Sequence, residues 1–260
     1  MGAPVGPCNP WLVNLILLEP EELSGDGTAR LTGRRARHVR EVLGATRGQL
    51  IRAGLLGGRM GEAEVISAGK AELVLRPRLE EEPPPPAPLK LLLALPRPKI
   101  LRRVLQSAAS MGVKRLVLCG SYKVERSYFG SPILRPAALR AELVLGLEQA
   151  RDTILPEVVV RRLFKPMVED ELDHLLPAAA RLLAHPQGAG APLRPPGAGE
   201  VGLAVGPEGG FTAYEASLLE ARGFAPFSLG ARVLRVDTAV SFAVGMVLQW
   251  LGRGGGGLTR

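Results

Sequence analysis

Over the first eighty residues, short apolar runs alternate with turn signals. Residues 12–18, 49–53, 61–66 and 71–76 read as strands, separated by Gly25-Asp26-Gly27, Gly57-Gly58 and Ala68-Gly69. One helical stretch, residues 33–43, interrupts them, and the pattern predicts a small β-barrel with one helix. Four consecutive prolines follow in Glu80-Glu81-Glu82-Pro83-Pro84-Pro85-Pro86-Ala87-Pro88. They fit neither a helix nor a central strand and favour a stiff extended linker. The expected division is 13–79 for the barrel, 80–88 for the linker and 89–252 for a larger domain.

In the larger domain the period changes. Strand-like runs at 90–95, 114–119, 157–162, 181–184, 201–205 and 226–229 alternate with helical ones at 98–112, 136–153, 167–176, 212–222 and 237–251. Such alternation predicts an α/β domain with a parallel sheet covered on both faces. Residues 186–199, rich in glycine and proline, carry no period and read as a loop. The first dozen residues look dispensable, and the glycine-rich tail 253–260 reads as disordered.

Charge narrows the class. The formal net charge of +8 and pI of about 10.1 favour a polyanionic partner, usually nucleic acid, over an unengaged basic surface. Aromatic residues make up only 4%, so the composition does not advertise stacking platforms. No apolar run approaches the ~20 residues of a membrane span. Cys8 and Cys119 imply no disulfide framework, and with His38, His174 and His185 they form no zinc-spaced cluster. No signal peptide is visible, so a cytoplasmic location without metal or membrane is expected.

Five segments could carry chemistry. Between Arg30 and Arg47 lie six arginines, Arg34, Arg35, Arg37 and Arg40 among them, against one acid, Glu41. They fit either a phosphate-binding face or a solvated charged one. Arg97, Lys99, Arg102, Arg103 and Gln106 flank the apolar stripe Ile100, Leu101, Val104, Leu105, Ala108, Met111. That helix is a second RNA grip or an ordinary amphipathic helix. Glu148, Arg151 and Asp152 share a helical face, as a surface ion-pair set would. Val205-Gly206-Pro207-Glu208-Gly209-Gly210-Phe211-Thr212 runs from strand through a glycine-rich loop to a helix on which Thr212 and Glu215 form a capping box. In an open α/β sheet such a loop lies at the carboxyl edge, where ligands bind, although a plain tight turn is the simpler reading. It is neither a Walker A loop nor a dinucleotide fingerprint. Finally, Leu229-Gly230-Ala231-Arg232-Val233-Leu234-Arg235-Val236-Asp237-Thr238 places two arginines and a helix cap before a final helix that is apolar nearly all round. Such a helix belongs in a core or a subunit interface.

The glycine loop and the Leu229–Thr238 stretch about twenty residues on together resemble the paired signature of bacterial small-subunit rRNA uridine-N3 methyltransferases, the RsmE type of the SPOUT superfamily. The resemblance continues through Arg37-His38, Met111-Gly112-Val113 and Glu148-Gln149 and covers about 14–251. Asp237 stands where that family usually has Glu, and Ala150-Arg151-Asp152 departs from its usual Gly-Arg continuation. The resemblance implies a PUA-like β-barrel followed by a trefoil-knotted SPOUT-type α/β domain. It also implies S-adenosylmethionine as methyl donor, a homodimer, and a uridine of 16S rRNA or the small ribosomal subunit as acceptor.

On that footing Gly206, Glu208, Gly209, Gly210, Leu229, Gly230 and Leu234 are expected around the donor. His185 joins them or is a plain loop histidine. Arg34, Arg35, Arg37, Arg40, Arg97, Arg102 and Arg103 are expected to hold RNA. Arg232 and Arg235 are the candidates to stabilise an anionic uracil, and Asp237 to orient an arginine or, less favoured, to accept the proton. A non-catalytic ribosome assembly factor would share the arginines but not need the glycine loop, and a dehydrogenase-like enzyme would need the absent fingerprint.

Overall fold

The computed structural model describes residues 15–41, 44–69, 71–185 and 199–254, apart from the side chains of Arg34, His38 and Arg253. The leading dozen residues, most of the expected loop at 186–199 and most of the glycine-rich tail lie outside the described residues. The fold is α/β, with one barrel-like sheet and one parallel sheet, and the chain divides into two compact units.

The first unit takes the described residues up to Pro84 together with Leu147–Leu155. Strands β1 (Ile16–Leu18), β2 (Ala29–Thr32), β3 (Leu50–Leu55), β4 (Met60–Ala68) and β5 (Glu72–Glu81) order as β1-β3-β4-β5-β2. The β1–β3 pair is parallel and the others antiparallel. Alternation along β2, buried then exposed, puts Ala29 and Leu31 inside while Arg30 and Thr32 face out. Inside, Leu18, Leu31, Ile51, Val65 and Leu73 pack together with Ala36 and Val39 of helix α1 (Gly33–Glu41).

Two boundaries differ from the sequence expectation. Strand β5 runs through Glu81, past the expected start of the linker, because its end is still paired: Glu81 lies opposite Met60, and both its carboxylate oxygens accept from the Arg52 guanidinium at 2.8 and 2.6 Å. That pair holds the Glu81 carboxyl below its usual range. Residues 147–155, expected to continue a helix and a surface ion-pair set, instead build part of the first unit. Arg151 takes a left-handed φ of 55° and ends the helix. Asp152 is buried and accepts the Ile154 N–H at 2.9 Å. The Glu148 carbonyl and carboxylate accept the N–H groups of Leu15 and Leu17, and the Thr153 carbonyl accepts that of Gly57. The segment thus satisfies backbone donors along β1 and at the β3–β4 turn that would otherwise lack partners.

The second unit takes Pro85–Gly146 and the described residues from Pro156 on. Strands β6 (Leu89–Ala94), β7 (Arg115–Cys119), β8 (Glu157–Arg161), β9 (Ala180–Ala184), β10 (Val201–Val205) and β11 (Phe224–Phe227) form a sheet ordered β11-β9-β10-β6-β7-β8, with every pair parallel. The central strands are buried along their length, which is why they read as continuous apolar runs. Between them come helices α2 (Pro98–Ser110), α3 (Pro136–Ala150), α4 (Phe164–Pro166), α5 (Leu172–Leu175), α6 (Ala213–Ala221) and α7 (Val236–Gly254). A π-helical turn at Met167–Glu171 joins α4 to α5. Helix α2 buries Leu101, Val104, Leu105 and Ala108 of the expected stripe. Helix α7 buries Val240, Ala243, Val244 and Val247 and leaves Phe242 about half exposed.

Gly146 lets α3 approach α2: a Cβ there would collide with the Gln106 carbonyl and lie 2.8 Å from Ala109 Cβ. Gly146→Val should therefore cost about 1–3 kcal/mol, as overpacking does. A Tm lowered by roughly 2–10 °C in calorimetry is the expected result, and an unchanged Tm would refute the close approach.

Candidate active site

Because all six strands of the second sheet are parallel, the loops that follow them gather at one edge. Strand β10 sits between β6 and β9, so its loop lies at the point where the strand order reverses. Here a cleft of about 360 Å³ opens between the turns after β9, β10 and β11 and the start of α7. All eight expected donor-binding residues line it: His185, Gly206, Glu208, Gly209, Gly210, Leu229, Gly230 and Leu234, joined by Arg232.

Glycine shapes the walls. A Cβ on Gly206 would sit 2.9 Å from the Phe211 nitrogen and 3.0 Å from Gly210 Cα, so the loop can fold back only with glycine there. Gly210 takes φ +67° and donates its N–H to the Pro207 carbonyl, closing the turn. At Gly209 a Cβ would meet only the flexible Lys123 side chain at 2.8 Å.

Polar contacts then lock the loop. Glu208 Oε1 accepts the Arg97 N–H at the start of α2, 3.0 Å away. The Lys123 ammonium donates to the Gly209 carbonyl at 2.6 Å. Thr212 and Glu215 form the expected capping box on α6. The buried Glu215 carboxylate also accepts the Tyr122 N–H at 2.7 Å, joining the β7 loop to α6. His185 donates its backbone N–H to the Phe227 carbonyl, so its main chain is fixed to β11. Lys123 escaped sequence reasoning because a lone lysine after a strand carries no pattern.

The catalytic candidates divide. Arg232 lies on the cleft, whereas Arg235 and Asp237 do not line it. Asp237, in the first turn of α7, lines a shallow depression of about 680 Å³ with Arg103, Gln106 and Ser107 of α2. Its carboxylate is 3.2 Å from Arg103 Nη1 and 3.5 Å from Arg235 Nε. Among the described residues the buried Oδ1 has no hydrogen-bond partner, so the Arg235 contact is an ion pair only. A carboxylate at a helix N-terminus and two guanidiniums are each in their favoured electrostatic place. Cys119 beneath the edge is no nucleophile: burial, and secondarily the Glu215 charge, push its thiol far up. Among the described residues no group of His, Cys, Asp and Glu is arranged to hold a metal.

The arginines expected to hold RNA have varied surroundings. Arg103 pairs with Asp237, and Arg102 with the buried Glu142, which also accepts from Gln106 at 2.6 Å. Arg97 is exposed. On α1, Arg35 does not project: its guanidinium donates to Glu22 and to the Leu17 carbonyl. Arg40 donates to the Gly69 carbonyl and to Glu41. Arg37 is exposed, as are Arg30 and Arg47, while the Arg34 side chain lies outside the described residues.

Residues 83–248 match the description of an RNA methyltransferase domain. The chain belongs to the RNA methyltransferase family. The matched span holds every residue of the cleft and of the depression beside it. This methyltransferase is 33% identical over 247 residues to "Ribosomal RNA small subunit methyltransferase E" of Treponema pallidum, covering 91% of each chain. It is 26% identical over 240 residues to the Synechocystis protein of the same name, covering 89% of this chain and 76% of that one. Its fold matches the small subunit methyltransferase E of Neisseria gonorrhoeae, solved bound to S-adenosylmethionine, with a TM-score of 0.68 at 21% identity over 91% and 97% of the two chains. A methyltransferase of Legionella pneumophila, solved with the same cofactor, gives 0.70 at 23% identity over the same shares.

The Glu215 carboxylate is the knot of this methyltransferase's loop contacts. Glu215→Ala would strand the Thr212 and Tyr122 N–H groups, costing about 2–4 kcal/mol if each loses about 1–2. Denaturant unfolding should register that loss, and hydrogen exchange should show both amides deprotected; retained protection would contradict the assignment.

Proposed function

We propose that the chain transfers the methyl group of S-adenosylmethionine to N3 of a uridine in 16S rRNA. The observation that carries this reading is the cleft itself, which brings the glycine loop, the Leu229–Leu234 segment and His185 to one carboxyl edge of a parallel sheet. A wall made largely of main chain and small side chains suits a nucleoside, whose edges meet backbone N–H and C=O groups at close range. Gly206, Gly209, Gly210, Leu229, Gly230 and Leu234 would hold the donor, and the sulfonium supplies an activated methyl group when bound.

The protein has to position the base and manage one proton. Uracil N3 carries a hydrogen and pairs through it, so the acceptor must be unpaired or flipped out. As N3 loses its proton, charge spreads onto the ring, and a fixed guanidinium stabilises it. Arg232 on the cleft and Arg235, held by Asp237, are the groups for this. Asp237 acts as the orienting carboxylate, a role its ion pairs with Arg103 and Arg235 support. The exposed Arg37, with Arg30 and Arg47 of the same unit, supplies phosphate contacts, and the chain acts as a cytoplasmic homodimer. The first unit is a PUA-like barrel joined through the proline-rich stretch to a SPOUT-type domain with a trefoil knot. A ribosome assembly factor without catalysis would have no use for the glycine cleft.

Calorimetry with S-adenosylmethionine tests the donor site. The parent should bind it, and Gly206→Val should weaken binding by more than about tenfold, roughly 1.4 kcal/mol, while Gly209→Ala stays near parental. No binding by the folded parent would overturn the proposal. For the acceptor side, Arg235→Lys should slow single-turnover methylation of small-subunit RNA by about 10²–10³, since a point ammonium does not replace a planar fork. Near-parental rates for both Arg235→Lys and Arg235→Ala would remove Arg235 from the chemistry.

A further inference from the structure

Next to the cleft, on the same sheet edge, a second hollow of about 530 Å³ opens between the loops after β7 and β8 and the first turn of α6. Three large side chains from three different segments surround it, all exposed: Tyr122 at 86%, Leu163 at 68% and Tyr214 at 58%. In a chain with only three tyrosines, two at one opening is a concentration that the core does not require. Both tyrosines are anchored at the main chain. Glu215 accepts the Tyr122 N–H, and with Thr212 it caps the helix whose first turn carries Tyr214. One buried carboxylate thus fixes the backbone of both.

The rest of the lining is equally pointed. Arg162 and Lys165 place two cations at the rim, the first over the Phe129 ring at 5.8 Å and the second 3.7 Å from Glu169. Ser121 lines the hollow as well, and among the described residues its buried Oγ has no hydrogen-bond partner. The negative charge of Glu215 is met by N–H donors on both oxygens. Flat apolar faces and rim cations together suit an unpaired nucleobase, with its ring on the aromatics and its phosphate at the rim.

Resting on the RNA-methylation reading above, we propose that this hollow is a stacking subsite for an unpaired nucleotide neighbouring the methyl acceptor. The connection is covalent: residues 206–210 of the β10–α6 loop line the donor cleft, and the chain runs straight on into Thr212 and the first turn of α6, whose Tyr214 and Glu215 line the hollow. A strand that delivers one base to the cleft can lay the next against the tyrosines. The subsite holds the strand in its splayed form and so makes single-stranded RNA preferred over duplex.

The test uses the full chain, fluorescein-labelled decauridylate and fluorescence anisotropy. The Tyr122→Ala/Tyr214→Ala double variant should bind the oligonucleotide about tenfold or more weakly, whereas the Tyr122→Phe/Tyr214→Phe variant stays within about twofold of the parent. S-adenosylmethionine affinity by calorimetry and the Tm should be unchanged in both. Unchanged RNA affinity in the alanine variant overturns the subsite, as does an equal loss in the phenylalanine variant. So does a change confined to sedimentation, which would make the rings a protein contact. If the parent itself binds the donor but no RNA, the methylation reading falls along with the subsite; if the parent binds and methylates RNA and the alanine variant does so equally, only the subsite falls.

Discussion

The site depends on one constraint, the insertion of β10 between β6 and β9 in an all-parallel sheet. That placement aligns Val205 with Leu93 on one side and Ala184 on the other, so the chain leaves β10 at the same level as it leaves its neighbours. The turn that follows has no room for a side chain at Gly206, and it is tied at both ends, by Glu208 to the start of α2 and by Glu215 to the β7 loop. A parallel sheet therefore does more than support the cleft. It brings the connections after β6, β7, β9, β10 and β11 to one edge, and a few carboxylate-to-backbone hydrogen bonds tie several of them together.

Charge is divided between structure and function. Several of the basic residues that give the chain its net charge are engaged inside their own units. Arg35 satisfies the Leu17 carbonyl, Arg102 neutralises the buried Glu142, and Arg52 pairs with Glu81. Arg37 and Arg97 are exposed, and in the proposed reading they are assigned to phosphates. Asp237 lies between these roles. It shares Arg103 and Arg235, and its buried Oδ1 lacks a full hydrogen bond, leaving an electrostatic node beside the cleft rather than within it.

Much of the second unit was legible because helix and strand periods are local. The strands at 90–95 and 201–205 and the capping box at Thr212 stand where the pattern puts them. The cleft residues were legible only as a set, since glycines say where backbone comes close but not to what. What escaped depends on distant partners. The helix expected to reach residue 153 stops at Ala150, and residues 147–155 satisfy donors along β1 and at the β3–β4 turn, far away in sequence. Arg103 could not be told from Arg102 by spacing, yet one meets Asp237 and the other Glu142. The two tyrosines beside the cleft lie about ninety residues apart, and a low aromatic content hid them. Their meeting at one opening is a property of the sheet edge.

Uridine N3 methylation at this edge would leave one characteristic modified nucleoside. Its most direct test is to incubate the protein with methyl-labelled S-adenosylmethionine and small-subunit RNA or particles from a strain lacking the enzyme, then to digest the RNA and identify the labelled nucleoside by mass. Label in 3-methyluridine at one site of 16S rRNA is the predicted result. Label on ribose, on uracil C5 or nowhere in the RNA would contradict it.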